Sequence, residues 1–334
     1  MNAPAPKLAP KPSRMTLAAV TRGVQTQPLR VIVYGPGGIG KSTFGAQAPA
    51  PIFLGPEDGS ALLDVARFPQ PETWADTFDA LRALTSEAHD FGTLVIDSAD
   101  WLEPLCWEHV CRASSKRSIE DFGYGKGYVA ALEEWRRLLA AIESLRKAKR
   151  MHVIVIAHGE VKNYKNPEAE GDYDRWQLKL HRAAAGLLTE WCDELVFANF
   201  RTYTQKVDPN GPDKKRARGY GSERVLYTER RAAFDAKSRH GLPPEMPLSW
   251  AEFFAATQRG AGEVVANLRT EIEGALDQLQ ALDAARAEKA RAIYTNTAPT
   301  PDVLGVFLNQ LRTRIAEHTA KAATETTEGA PSAA

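Results

Sequence analysis

The sequence RVIVYGPGGIGKST, residues 30–43, decides the fold, because an apolar strand pattern runs directly into a glycine-rich turn. Residues 35–42 fit the spacing G-x-x-x-x-G-K-[ST]. Glycines in such a turn let backbone N–H groups point inward around a phosphate, and the helix that follows presents its positive N-terminal end. The residues expected to bind the phosphates are Gly35, Pro36, Gly37, Gly38, Ile39, Gly40, Lys41, Ser42 and Thr43.

Three side chains are expected to complete this phosphate site. Lys41 should reach the β- and γ-phosphates, and the Ser42 hydroxyl should bind magnesium. A second metal ligand should be Asp97, which ends the apolar run LVID. Asp100 is the alternative ligand, although it lies past the end of that strand. The sequence therefore predicts an NTPase that binds ATP with Mg²⁺ and uses Lys41 and Asp97 in catalysis.

Hydrolysis also requires a group that orients and activates water. No glutamate follows Asp97 directly, so we expect the second apolar run, PIFLG, to supply Glu57 just after it. Carboxyl ends of parallel strands gather at one edge of a sheet, where Glu57 would face the γ-phosphate. The alternative is a solvated loop acid. His158 ends a fourth apolar run, MHVIVIAH, and is either a γ-phosphate sensor or a neutral structural histidine.

The remaining pattern alternates apolar runs with helical segments to about residue 200, including a helix over 178–192. Continuous apolar strands between helices predict an α/β fold with a mostly parallel sheet, flanked by helices on both faces. Between residues 201 and 240, DPNGPD predicts the turn of a projecting β-hairpin. Two helical stretches, 262–293 and 301–322, follow. We expect a flexible N-terminal arm (1–27), an ATPase core (28–255), a helical C-terminal appendage (256–322) and a disordered tail (323–334).

Composition restricts the class of protein. The chain has 334 residues with 42 basic and 42 acidic side chains, which excludes a uniformly positive surface but not a local basic groove. No apolar run reaches the roughly 18 residues of a membrane span, and the N-terminal MNAPAPKLAPKPSR lacks the apolar segment of a secretory signal. The three cysteines lack CxxC spacing, which favours free thiols in a reducing cytosol. We therefore expect a cytoplasmic protein without a membrane partner.

Together, the P-loop, Glu57, the lone Asp97 and His158 resemble the RecA core. Within it, GPGGIGKSTF, FGYGKGY, VIVIAH and AKSRHGLP resemble the phage-encoded AAA-type nucleotide-binding proteins, a group that includes the Sak-type single-strand annealing ATPases. The similarity covers roughly residues 28–250. It implies a phage or prophage protein of recombination or annealing that binds single-stranded DNA in an ATP-dependent manner. It also implies action beside a single-strand-binding protein.

The same resemblance implies a role for Lys237 and Arg239 in AKSR. In RecA-like ATPases a basic pair in this region reaches the γ-phosphate held by a neighbouring subunit. A charge supplied in trans completes a site only on assembly, as an arginine finger does. We therefore expect a homo-oligomer in which these two residues are catalytic. The alternative is a solvated basic loop.

Candidate DNA contacts combine basic residues with nearby aromatic side chains, because phosphates bind cations and unpaired bases stack on π faces. They are expected in the loops after the third and fourth strands and in the hairpin. The loop over 160–176 also contains five acidic residues, so a solvated loop is the alternative there. The candidates are Lys116, Arg117, Lys126, Lys162, Lys165, Lys214, Lys215 and Arg216.

A second class of function also fits the sequence. The helical appendage could hold a replication or recombination protein, which would make the chain a nucleotide-switched loader or regulator. A kinase is disfavoured, since the sequence shows no arginine-rich lid and no acceptor pocket.

Overall fold

The computed structural model describes residues 15–16, 20, 27–165, 171–201, 203–206, 217–296 and 301–328. The chain divides into two compact units. One comprises Gln27–Gly260, and the other comprises Ala261–Ala334 together with Met1–Thr26. The arm expected over residues 1–27 lies almost wholly outside the described residues.

The first unit alternates strands and helices up to α5, after which strands predominate. The strands are β1 (Arg30–Gly35), β2 (Pro51–Leu54), β3 (Ala66–Arg67), β4 (Thr93–Asp97), β5 (His152–Tyr164), β6 (Tyr173–Leu178), β7 (Glu194–Phe200), β8 (Tyr203–Lys206), β9 (Ala217–Tyr220), β10 (Arg224–Tyr227), β11 (Lys237–Ser238) and β12 (Glu245–Pro247). The helices are α1 (Lys41–Ala46), α2 (Trp74–Ser86), α3 (Ala99–Ala113), α4 (Lys126–Lys149), α5 (Arg182–Trp191) and α6 (Trp250–Leu282), which continues into the second unit.

The main sheet has the order β12-β10-β7-β1-β5-β4-β2-β3. Strands β7, β1, β5, β4, β2 and β3 pair in parallel, while β10, β11 and β12 add an antiparallel edge beyond β7. The central β1 is buried along almost its whole length because it lies between β5 and β7. The expected α/β fold with a mostly parallel, helix-flanked sheet is thus confirmed.

Successive residues of β1 enter two different cores. Ile32 and Tyr34 belong to the core under α2, α3, α4 and α5, whereas Val31 and Val33 belong to the core under α1 and the start of α6. Side chains alternate across a strand, so an unbroken apolar run supplies both faces at once. Burying each such side chain contributes about 1.5–3 kcal/mol. This packing fixes the carboxyl end of β1, where the glycine-rich turn begins.

The region after the fourth apolar run differs from the sequence prediction. Residues 160–164 and 173–176 are not part of a loop, because β5 continues to Tyr164 and pairs antiparallel with β6, while residues 166–170 lie outside the described residues. The predicted helix over 178–192 starts only at Arg182, since Leu178 ends β6. Alternating polar and apolar residues such as Glu160, Val161 and Lys162 form a half-exposed strand. Their charges gave the segment the composition of a loop.

The expected hairpin after β7 is present as a pair of strands. Tyr203 lies opposite Tyr220 and Lys206 lies opposite Ala217 in an antiparallel register. Its connecting segment, 207–216, contains the DPNGPD turn and lies outside the described residues. Three of the expected DNA contacts are therefore not described: Lys214, Lys215 and Arg216.

The second unit contains the end of α6, α7 (Ala284–Thr295) and α8 (Pro301–Glu328), packed around Leu276, Leu279 and Leu308. Asp283 interrupts the first predicted helical stretch because its side chain accepts a hydrogen bond from the backbone N–H of Arg286 and caps α7. Helix α8 extends six residues into the segment expected to be a disordered tail. Among the described residues, no helix is both long enough and apolar enough to cross a membrane.

Candidate nucleotide site

The glycine-rich turn joins the buried strand β1 to helix α1. Gly38 and Gly40 have positive φ angles of 73° and 109°, which residues with a side chain rarely adopt. A Cβ atom on Gly40 would also lie 3.2 Å from Nη1 of Arg224. Glycine is therefore favoured at position 40 by its backbone conformation, and a larger residue would also press on the Arg224 side chain. The turn has the strand–turn–helix context that a phosphate-binding loop needs.

Lys41 is the first residue of α1 and is only 6% exposed. Its Nζ donates hydrogen bonds to the carbonyl oxygens of Gly35 at 3.1 Å and Pro36 at 2.9 Å. Burial lowers the pKa of Lys41, while the carboxylates of Glu57 and Asp97 act in the opposite direction. The ammonium group is thus held at the turn by carbonyls that phosphate oxygens can replace.

Ser42 and Asp97 come together across the sheet edge. The Ser42 hydroxyl donates to Oδ2 of Asp97 at 2.7 Å. Burial raises the pKa of Asp97 to about 6, against the opposing hydrogen bond from Ser42. A Cβ atom on Gly59 would lie 3.4 Å from the Ser42 hydroxyl and 3.6 Å from Oδ2 of Asp97, so glycine keeps this space open. Two hard oxygen donors, one a buried carboxylate that a cation would keep ionised, fit Mg²⁺.

Glu57 lies at the same edge, just after β2. Its Oε2 accepts a hydrogen bond from the Ser98 hydroxyl at 2.8 Å, and its Oε1 is 3.7 Å from Nε2 of His158. Asp100 holds His158 from the other side, since its carboxylate accepts from the backbone N–H and from Nδ1, both at 2.9 Å. Burial alone would raise the pKa of Asp100, but these bonds from His158 outweigh it and lower the pKa.

Asp100 therefore orients His158. Both of its carboxylate oxygens are engaged in this way, whereas the alternative prediction made Asp100 a metal ligand. Its hydrogen bonds fix the His158 ring so that Nε2 points toward Glu57. The structure brings Lys41, Ser42, Glu57, Asp97 and His158 to one cavity of about 300 Å³. These are five of the residues that the sequence predicted for this site.

Arg224 also lines this cavity, and the sequence analysis missed it. It begins β10, which pairs with β7, and a Cβ atom on Gly40 would meet both its Nη1 and Cδ2 of Leu248. Arg224 lies 184 positions after Gly40, so no local motif could have identified it. The only sequence signal was its place in the basic stretch 201–240. Its guanidinium adds a positive charge at the mouth of the turn.

Lys237 and Arg239 do not line the cavity. Nζ of Lys237 donates to the carbonyl oxygens of Thr189 at 2.8 Å and Cys192 at 2.7 Å, at the end of α5. Nη1 of Arg239 is 3.2 Å from the Asp193 carboxylate, although half of the Arg239 side chain is exposed. Within one subunit, both residues thus bind the C-terminal end of α5, where cations are favoured by the helix dipole.

The expected DNA contacts that the structure describes fall in two places. Lys116, Arg117 and Lys126 are exposed between α3 and the start of α4. Lys162 is exposed on β5 and is paired with Glu160 at 2.7 Å, and Lys165 is exposed just after it. Lys116, Arg117 and Lys126 thus lie on different elements from Lys162 and Lys165, and none of the five lines the candidate nucleotide cavity.

A protein-family model matches the chain. The model of a family described as an AAA domain matches residues 27–240, which is nearly the whole first unit and almost two thirds of the chain. No curated protein matches the chain.

Proposed function

Because the chain belongs to the AAA domain family, we propose that it binds ATP with Mg²⁺ in the cavity at the end of β1 and hydrolyses it. One observation carries this proposal: Lys41, Ser42 and Asp97 meet at the glycine-rich turn, with Ser42 and Asp97 only 2.7 Å apart. This is the arrangement of cation and oxygen ligands that a nucleoside triphosphate with its metal requires.

Each residue then has a role set by its contacts. Backbone N–H groups of the turn and Lys41 bind the phosphates, and Ser42 and Asp97 would hold Mg²⁺, which neutralises charge on the phosphate oxygens when bound. Glu57 orients the attacking water and accepts its proton. Ser98 positions the Glu57 carboxylate, and Asp100 fixes the ring of His158 with its Nε2 3.7 Å from Glu57.

We further infer that the chain acts on single-stranded DNA in phage recombination or annealing, together with a single-strand-binding protein. Support comes from the resemblance to Sak-type annealing ATPases and from the exposed cations of the β5–β6 hairpin. The test is the ATPase rate of the purified protein with and without single-stranded oligonucleotide. Strong stimulation that declines steeply with added salt is the expected result. A rate that is indifferent to DNA contradicts this part of the proposal.

A second candidate function is favoured by the separate C-terminal unit. Its helices have their own buried core, including Leu276, Leu279 and Leu308, and so form more than an extension of the ATPase sheet. A nucleotide-switched loader or regulator would use this unit to hold a replication or recombination protein. DNA-independent ATP hydrolysis, together with nucleotide-dependent capture of a purified single-strand-binding or replication protein, would favour this alternative.

Catalysis by an oligomer is a further part of the proposal. Arg239 is half exposed and could supply its guanidinium to a neighbouring subunit. Arg239→Ala is expected to reduce turnover at least 100-fold, because an arginine supplied in trans contributes 10³–10⁵ in known cases. Nucleotide binding should stay within about threefold of the unchanged protein. Calorimetry and steady-state assays over a range of protein concentrations measure both. Loss of binding, or of folding by circular dichroism, would instead indicate that Arg239 only caps α5.

A further inference from the structure

A second cavity lies in the first unit, apart from the glycine-rich turn. Its volume is about 470 Å³, within the range of small-ligand sites. It lies among the β5–β6 hairpin, α5 and residues 230–235, and none of the turn residues 35–43 lines it. The residues that the argument uses are Lys162, Tyr164, Arg175, Arg182, Arg230 and Asp235.

Arg175 is the central residue of this cavity, and its side chain is only 4% exposed. Its Nη2 donates to the carbonyl oxygen of Phe234 at 3.1 Å and lies 3.2 Å from the Asp235 carboxylate. One face of its guanidinium lies over the ring of Tyr164, 5.0 Å from the ring centre. The side chain is therefore fixed on one edge and one face.

One N–H group of this guanidinium has no partner. Nε of Arg175 is buried and has no hydrogen-bond partner among the described residues. A buried donor without a partner destabilises the fold, and more so when it is charged. Arg175 lines the wall of an open cavity, where an acceptor from outside the protein would lie next to its guanidinium. That acceptor is expected to be anionic, because a fixed guanidinium binds phosphate and carboxylate oxygens more strongly than neutral ones.

The charge of the cavity favours an anion as well. Four basic side chains line it, against two carboxylates, Glu190 and Asp235. Lys162 is paired with Glu160 on the hairpin, and Arg230 is 3.6 Å from Asp235. Arg182 is exposed at the start of α5 and has no ion pair with any residue in the described ranges. Arg182 is thus available to a ligand, beside the buried guanidinium of Arg175.

We propose that this cavity binds the phosphate group of a nucleotide, through the guanidinium groups of Arg175 and Arg182. Two sources share this chemistry: a free nucleotide and the backbone of single-stranded DNA. Binding of a DNA strand rests on the proposed function, because it would place the DNA substrate against the β5–β6 hairpin. Binding of a free nucleotide does not rest on it, and would make this cavity a second ligand site independent of the P-loop.

The experiment measures binding of three probes to the full chain at low salt. Inorganic phosphate and thymidine monophosphate are titrated by calorimetry, and a fluorescein-labelled oligo-dT strand is titrated by fluorescence anisotropy. All titrations are repeated with Lys41→Ala, which disables the P-loop and leaves the second cavity intact. The variants are Arg175→Lys, which keeps the charge but removes Nε and the planar fork, and Arg182→Gln, an exposed change with little effect on folding. Arg136→Gln, an exposed arginine on α4, is the matched control.

The expected result is a phosphate-bearing probe that binds equally well to the unchanged protein and to Lys41→Ala. Arg175→Lys should weaken its binding at least tenfold and Arg182→Gln about three- to fivefold, while Arg136→Gln has no effect. Binding of thymidine monophosphate identifies the free-nucleotide source, and binding of oligo-dT alone identifies the strand. The proposal is overturned if no probe binds. It is also overturned if Arg182→Gln and a folded Arg175→Lys both bind the probe with normal affinity. If ATP hydrolysis fails while this pattern holds, only the proposed ATPase function is overturned.

Discussion

The two cavities of the first unit are built in different ways. The cavity at β1 contains one continuous turn, whose Lys41 lies in the same cavity as two carboxylates, Glu57 and Asp97, from the ends of neighbouring apolar strands. The cavity at Arg175 is built from side chains of a hairpin, a helix and a loop that are distant in sequence. The first can hold a cation and an anion together, whereas the second offers mainly donors. A site encoded in a short motif can be recognised from sequence, but a site assembled from distant segments cannot.

The largest expected effect that separates the cavities comes from Lys41→Ala. Removing the ammonium from the turn should weaken ATP binding at least 100-fold, because the phosphates lose their main side-chain charge. The Arg175 cavity should keep its ligand. Calorimetry with ATP and Mg²⁺ measures the loss, and Lys147→Ala, an exposed lysine on α4, is the control. Retained ATP affinity would remove the basis for placing nucleotide at the end of β1.

Glu57→Gln should separate binding from chemistry within the first cavity. The amide keeps the size and the hydrogen bond from Ser98 but cannot accept a proton, so hydrolysis should fall about 100- to 1,000-fold with ATP affinity unchanged. Steady-state phosphate release and calorimetry measure the two quantities. Asp58→Asn is the matched control, because this neighbouring acid is exposed and does not line the cavity. An equal loss in Asp58→Asn would mean that Glu57 has no special role.

Arg224→Ala tests the arginine that lines the first cavity from a distant segment, as arginines do in the second cavity. Its guanidinium lies at Gly40 and is expected to add a direct phosphate contact, so its removal should weaken ATP binding about tenfold, or about 1.4 kcal/mol. Arg224→Lys should recover part of the affinity, since it keeps the charge and loses the planar fork. Arg136→Ala provides the comparison. Full affinity in Arg224→Ala would show that the nucleotide does not extend to β10.

The smallest effect concerns Glu103, a buried residue of α3 whose carboxylate accepts from the backbone N–H of His181. Burial, followed by the nearby charge of Asp100, raises its pKa to about 7. The folded state thus keeps its proton to higher pH than the unfolded state does, and stability falls as pH rises from about 4.5 to 7.

Glu103→Gln removes this titration while keeping an acceptor for His181. It should raise the free energy of unfolding at pH 8 by about 1–3 kcal/mol relative to the unchanged protein, with little difference at pH 4. Urea denaturation at the two pH values measures the change. A stability gain that is the same at both pH values would show that the proton is not its source.

Much of the fold and of the first cavity could be predicted, because the deciding information is local. The apolar run before Gly35 predicts a buried parallel strand. Glu57, Asp97 and His158 each stand at the end of an apolar run, and the rules of parallel sheets predict that such residues meet at one edge. The positions of these residues along the chain are sufficient to predict that they lie at one site. Their roles in binding and hydrolysis are predictions for the experiments above.

The errors arose where tertiary contacts outweigh local composition. The charges of residues 160–164 suggested a loop, yet pairing with β6 makes them a strand. Lys237, which the resemblance assigns to the γ-phosphate of a neighbouring subunit, donates to carbonyl oxygens at the end of α5 within its own chain, and its role in trans stays a prediction. Arg224 reaches Gly40 only because β10 pairs with β7. Lys237 contacts residues 45 and 48 positions away, and Arg224 reaches a glycine 184 positions away, so no periodicity records either contact.

Strand β5 joins the two cavities by a single covalent path. His158 faces Glu57 in one cavity, and Lys162 lines the other four residues later, about 13 Å further along an extended chain. The antiparallel pairing with β6 runs through this stretch, so the two cavities share one hydrogen-bonded strand. If a ligand at Arg175 favours one position of the strand, it changes the affinity of the first cavity for nucleotide by some factor. By thermodynamic reciprocity, nucleotide must then change the affinity of the Arg175 cavity for that ligand by the same factor.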